Sequence, residues 1–296
     1  MGVSRTEVQR WIDAERVTID GKCARASDVV RAGTHVVALP LDARTTDLTP
    51  DASVPMQILQ VDDALVVVVK PPGVVVHPAP GSEHGTLVHG LLARGLFVAG
   101  DDEHTRPGIV HRLDKGTSGV MVVARTPAAR EALKAQFAAH TIEREYVAIC
   151  SGVAKAMTHR TLHGRDPRNR LRFTSRVRAG HGARTAVTHV RLMETLAGGG
   201  ACLVTATLET GRTHQIRMHL SETGTPVLGD GLYARRDAGG RARLEIAEIA
   251  QALGHQALHA RVLGFVHPAT GLHVRFEAPP PDDFARALAA LRALNG

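Results

Sequence analysis

The stretch Arg106-Pro-Gly-Ile-Val-His-Arg-Leu-Asp-Lys-Gly-Thr-Ser-Gly119 breaks an apolar part of the chain with a run of polar side chains. Its one carboxylate, Asp114, follows the extended apolar approach Ile109-Val110 and precedes the turn Gly116-Thr-Ser-Gly119, which puts it on a tight loop. Arg112 and Lys115 flank it, and neighbouring cations favour an ionised carboxylate. Such a group, partly desolvated, serves as nucleophile or electrostatic stabiliser at an anomeric carbon. On residue type alone, a structural aspartate paired with an arginine fits equally well.

Outward from this loop, strands and helices alternate. Downstream, Val120 to Ala124 reads as a buried strand. Thr126 caps a helix opened by Pro127 with Leu133 and Phe137 on one face, and Glu145 to Ile149 returns as a strand. Upstream, Gln57 to Gln60 and Ala64 to Val69 flank Asp62-Asp63 as a hairpin closed by Pro71-Pro72-Gly73. A second hairpin, Ala186 to Leu196 with Ala201 to Glu209, turns at Gly198-Gly199-Gly200. A helix from Thr213 to Thr223 stops at Gly224. The remainder gives a helix near Leu244 to Leu253, strands near Leu258 to Phe265 and Leu272 to Glu277, and a helix after Pro279-Pro280-Pro281. The expected class is α+β, a largely antiparallel mixed sheet with flanking helices.

Val8, Trp11 and Ile12 at helical spacing, then Val17-Thr-Ile-Asp-Gly-Lys entering a turn, make residues 1–40 a separate small module. Residues 41–55 read as a linker and residues 56–296 as the main domain. With 44% hydrophobic residues the chain can fill a core, and no run of about 18 apolar residues suggests a membrane span. The start does not resemble a signal peptide, and Cys23, Cys150 and Cys202 stand singly, so a soluble cytoplasmic protein is expected.

The net charge of +7 favours a polyanionic partner without specifying one. Residues 1–50 hold seven Lys/Arg and seven Asp/Glu, whereas residues 158–191 hold nine arginines against the single acid Asp166. That segment lacks clean periodicity and reads as a loop or irregular hairpin. Its arginines, Arg168, Arg170 and Arg172 among them, suit phosphate oxygens because they lack acidic neighbours.

Several patterns fail where their chemistry needs a residue. His255-Gln-Ala-Leu-His259 has Gln256 where a zinc peptidase needs a carboxylate, and Gly116-Thr-Ser-Gly-Val has Val120 where a nucleophile elbow needs glycine, so Ser118 is expected to hydrogen-bond a turn. No phosphate-cradling glycine loop occurs, and the seventeen histidines are dispersed. Two further polar segments stand out: Arg144-Glu-Tyr146-Val-Ala and Gly211-Arg-Thr-His-Gln-Ile-Arg-Met-His219. In the latter, His214 and Arg217 share a helical face, from which Arg217 can pair with a distant carboxylate.

Together these segments resemble the RluA-type pseudouridine synthase family, its RluD-like branch in particular, from about Val61 to Pro280. The resemblance is carried, in order, by Lys70-Pro-Pro-Gly-Val-Val-Val-His-Pro, Arg106 to Ala124, Gly211 to Leu220, Pro226-Val-Leu-Gly-Asp, Gln256-Ala-Leu-His-Ala and His267-Pro. It implies isomerisation of uridine in RNA without metal, nucleotide or redox cofactor. By the same resemblance Asp114 is the nucleophile, attacking sugar or base, Tyr146 stacks on the flipped base and handles a proton, and Arg217 ion-pairs with Asp114. Leu258 lines the uracil pocket, and His111 and Arg112 help displace the base and grip phosphate. For His111 a structural role competes.

Residues 3–39 resemble the RNA-binding domain named after ribosomal protein S4, through Ser4 to Ile12, Val17 to Lys22 and Val30-Arg-Ala-Gly-Thr. The helix that normally precedes the Ser-Arg element has no counterpart, so the module reads as shortened. The expected partner is RNA, large-subunit ribosomal RNA before transfer RNA. The rivals are a noncatalytic RNA-binding assembly factor and, remotely, a glycosidase using Glu143 or Glu145 as second carboxylate.

Overall fold

The computed structural model describes residue 3 and residues 5–40, 48–96, 108–180, 182–234 and 241–294. Arg106 and Pro107, and residues 41–47 of the expected linker, lie outside the described residues. The chain forms two units, Met1–Thr45 and Thr46–Gly296.

In the first unit, helix α1 (Arg5–Asp13) brings Trp11 onto Val17 and Ala24, a small buried core. Strand β1 (Val17–Ile19) pairs antiparallel with β2 (Lys22–Cys23) and β3 (Val36–Ala38). Asp20 and Gly21 turn with φ of 50° and 80°, the conformation a two-residue hairpin demands.

The second unit is built on a ten-stranded mixed sheet. Its first strands are β4 (Gln57–Val61), β5 (Leu65–Lys70), β6 (Ser118–Ala124) and β7 (Glu143–Ser151). They are followed by β8 (Met157–Arg165), β9 (Phe173–Thr174), β10 (Arg184–Leu196), β11 (Ala201–Leu208), β12 (Leu258–Val266) and β13 (His273–Glu277). The order is β4-β5-β6-β12-β7-β11-β10-β8-β9, with β13 also on β12, and only β6 and β12 run parallel. The run Leu65-Val-Val-Val-Val69 is apolar throughout because both faces of β5 are covered. Val66 and Val68 pack under helix α2 (Leu87–Ala93), and Leu65 and Val67 under α3 (Pro127–Ala138). The expected cap holds: the Thr126 side chain accepts from the Ala129 amide at 3.2 Å. A larger core joins β7 and β11 to α4 (Gln215–Glu222), α5 (Arg241–Leu253) and α6 (Asp282–Ala293).

Two expectations need correction, and one alternative left open is decided. Residues 48–55 do not form a free linker, since Val54 is buried against α2, where a Cβ on Gly90 would fall 2.8 Å from its own. Of the loop or irregular hairpin expected for the arginine-rich segment, its start takes the hairpin form. It is strand β8, paired residue by residue with β10, whose inward positions hold His159 and His163 rather than aliphatics. Ser118 does not brace a turn but opens β6, its hydroxyl 2.8 Å from Nδ1 of buried His259, whose Nε2 donates to the Ala278 carbonyl. This serine–histidine pair is sealed from solvent.

Candidate active site

Asp114 sits on the loop entering β6, and distant segments hold that loop rigid. The Thr117 amide closes a turn onto the Asp114 carbonyl at 3.0 Å. The Lys115 carbonyl accepts from the Gly73 amide at 2.8 Å and from Lys70 Nζ at 3.2 Å. Lys70 is fully buried and also donates to the Pro71 and Val74 carbonyls. Burial pulls its pKa down to about 7, with the Asp114 charge opposing. From the other side, Gln256 Nε2 donates to Thr117 Oγ1 at 3.1 Å. The loop then passes into β6 through Gly119, at φ 131°, where a Cβ would fall 2.5 Å from the Ala260 amide nitrogen of parallel β12.

Helix α4 begins at Gln215, two residues later than expected, because His214 adopts a left-handed conformation (φ 57°). Arg217, on its first turn, donates from Nη1 to Asp114 Oδ2 at 2.8 Å. The rest of its fork is bidentate to Asp230, Nε to Oδ2 at 2.6 Å and Nη2 to Oδ1 at 2.9 Å. Asp230 is buried and also accepts the Leu232 and Tyr233 amides at 3.0 and 3.1 Å. Burial opposes the Arg217 charge, but the two carboxylates outweigh it and raise its pKa above the ordinary value. Two of the three guanidinium nitrogens are therefore fixed by Asp230, and the third orients Asp114. His214 adds its Nε2 at 3.9 Å from Asp114 Oδ1 and its Nδ1 at 3.2 Å from the Tyr233 hydroxyl.

A narrow slot of about 50 Å³ opens beside Asp114, with Tyr146, Leu208, Ile216 and Leu258 as its apolar wall. Tyr146 stands on β7 between Ala206 of β11 and Ala260 of β12, small neighbours that leave its ring uncrowded. Burial, against the pull of Arg144 and with a push from Asp114, raises its hydroxyl to about 12, so it is a neutral donor at neutral pH. On the opposite side of Asp114 lies a wider cleft of about 620 Å³ lined by Lys115, Asp230, His255 and Gln256. Arg112, Asp114, His214 and Arg217 line both. Among the described residues, no cluster of three or more His, Cys, Asp or Glu is arranged to hold a metal ion.

The structure thus gathers Asp114, Tyr146, Arg217, Leu258 and Arg112 around one carboxylate. It does not bring His111 there. That ring stacks on Phe137 at 4.7 Å, and its Nε2 accepts from the Val122 amide at 3.1 Å, so it braces α3 against β6. Burial, helped by the Arg144 charge, drops its pKa to about 3 and keeps it neutral. Arg172 is likewise committed: its Nε donates to the Leu232 carbonyl at 2.5 Å, and its guanidinium lies over Tyr233 at 5.3 Å. Arg168 and Arg170 remain exposed. Sequence reading missed Asp230, quoted within a motif but assigned no role, although a lone acid behind Leu228-Gly229 was the available signal for Arg217's partner.

A family model described as RNA pseudouridylate synthase matches residues 64–222, and an S4 domain model matches residues 1–36. The "Ribosomal large subunit pseudouridine synthase D" of Xanthomonas campestris pv. campestris is 41% identical over 293 residues, covering 98% of this chain and 85% of that one. The chain belongs to the RNA pseudouridylate synthase family. Another member, the "RNA pseudouridine synthase 2, chloroplastic" of Arabidopsis thaliana, is 39% identical over 98% of this chain and 77% of its own length. A solved structure titled human "RNA Pseudouridylate Synthase Domain Containing 4" matches with TM-score 0.59 and 25% identity, covering 80% of this chain and 93% of that one. As a pseudouridine synthase with an S4 domain, the protein is an isomerase whose partner is RNA. No helix of the described residues is long and apolar enough to cross a membrane.

Proposed function

We propose that the protein converts specific uridines of large-subunit ribosomal RNA to pseudouridine in the cytoplasm, acting on the assembling subunit, with Asp114 as nucleophile. The bond from N1 of uracil to C1′ of ribose breaks and a bond from C5 to C1′ forms. C5 gives up its proton and N1 gains one, so the reaction balances with no oxidant or energy source. The observation that carries this reading is the fixed Asp114: one oxygen on Arg217, the loop braced from both sides, and the apolar Tyr146 slot beside it. The ribosomal substrate rests on the name borne by the 41% identical relative.

Tyr146 stacks on the uracil while its neutral hydroxyl exchanges a proton with it, and Leu258 closes the pocket. An apolar cavity that admits one benzene ring measures about 150 Å³, so a slot of about 50 Å³ must open for the flipped base. The exposed Arg112 at its edge is the side chain free to move aside and fill the space the base leaves.

Pseudouridine mapping of total RNA from cells with and without the gene, complemented by wild type or Asp114→Asn, tests the proposal. Ribosomal sites lost on deletion and restored only by wild type are expected. Lost sites in transfer RNA would reassign the substrate, and no lost site would leave a binding factor.

A further inference from the structure

Arg212 and four arginines of the basic segment 158–191, none of them Arg168, Arg170 or Arg172, form a second site. At the end of β8 and β10 lies a groove of about 850 Å³ whose walls include Arg165, Arg176, Arg178, Arg184 and Arg212, with no Asp or Glu among its lining residues. No ion pair to a carboxylate ties down any of the five among the described residues. Arg212 sits close enough to Arg184 that, after burial, this like charge is what lowers its pKa. Arg176 lies near enough to Glu222 to help lower that acid's pKa, but the groove holds more positive charge than the protein offsets, which suits an external anion.

The groove is built rather than incidental. Its arm, residues 166–180, is anchored by Glu222, which accepts from the Thr174 hydroxyl at 2.6 Å and the Ser175 amide at 3.0 Å and also bonds the Ser175 hydroxyl. The Phe173 amide donates to the Tyr233 hydroxyl at 2.8 Å, and Val177 packs where a Cβ on Gly164 would lie. Inside, Phe173 stacks on His163 at 4.7 Å with Arg165 over it at 5.1 Å, a planar surface beside the cations. Arg212 lines both this groove and the slot beside Asp114, so the two are neighbours.

We infer that this groove holds the sugar–phosphate backbone of the RNA flanking the target uridine, with Arg176, Arg178 and Arg184 as phosphate contacts. The inference rests on the RNA-modifying reading above and adds where the strand runs. It also moves the phosphate contacts from Arg172 to the opposite side of the arm. There the neighbouring hollow, lined by Arg168 and Arg172 and shared by Arg176, contains Asp166 and Glu222.

The test is a salt titration of RNA affinity with the full-length protein and a transcript of large-subunit ribosomal RNA, comparing wild type with Arg176→Gln/Arg178→Gln/Arg184→Gln. Each lost phosphate contact removes about 0.7 to 0.9 from the slope of log K against log salt, so a fall of about 2 to 3 is expected. KM should rise at least about tenfold, with kcat changing far less. A charge-matched control, Arg130→Gln/Arg275→Gln/Arg292→Gln, removes arginines already paired with carboxylates and should leave the slope unaltered. Equal slopes for wild type and groove variant overturn the inference even where wild type makes pseudouridine. If such a variant instead loses binding of an acidic polypeptide, the groove belongs to a protein partner. Because the slope is read from binding alone, a wild type that makes no pseudouridine would sink the isomerase reading without deciding the groove.

Discussion

Arg217 and Arg178 carry the same guanidinium into opposite environments. Arg217 is buried, and its donors go to two carboxylates, whereas Arg178 is exposed on a groove whose lining has no acid. In the first environment the charge is spent inside the fold and yields geometry, a fixed carboxylate with one oxygen oriented. In the second it is left for a ligand and yields affinity. Arginine count along the sequence does not separate the two. Proximity to a buried acid does.

The largest effect that bears on this contrast is expected at Asp230. Replacing it, Asp230→Ala, strips two donors of a buried guanidinium and should cost about 3–5 kcal/mol of stability, read by denaturant unfolding. A loss near zero would mean that water reaches the Arg217 site. Arg217→Lys keeps the charge but cannot span Asp114 and Asp230 together, so kcat should fall about 10²-fold with KM little changed. A selective rise in KM would instead make Arg217 an RNA contact like those of the groove. Smaller still is Ser118→Ala, which leaves His259 without one partner and should cost about 1–3 kcal/mol while turnover persists. Loss of turnover in a stably folded Ser118→Ala would give that buried pair a part in the chemistry. The smallest change is expected from Arg168→Gln, an exposed side chain outside the groove: stability within about 0.5 kcal/mol by thermal unfolding.

Much of this was legible in the sequence, for unequal reasons. The β5 and β6 strands announced themselves by apolar runs, and the α3 cap by Thr126-Pro127. Asp114 and Arg217 were legible as candidates because they lie in dense polar segments. Strand β8 was not, because its inward side chains are histidines that stack and hydrogen-bond, as His159 does on His219 at 4.9 Å, and so give no apolar period. For His111 both roles stayed open in the sequence because adjacency to Arg112 says nothing of direction, and successive residues of an extended segment point to opposite sides. The internal partners of Arg172, the Leu232 carbonyl and Tyr233, were not legible because they lie about sixty residues away.

The most direct test of the central claim uses purified protein and ribosomal RNA carrying tritium at uridine C5, since forming the C5–C1′ bond must expel that hydrogen. Wild type should release tritium to water, and Asp114→Asn, folded and binding the RNA with similar affinity, should release it at least about 10⁴-fold more slowly. Comparable release from both proteins would contradict the assignment of Asp114 as the nucleophile.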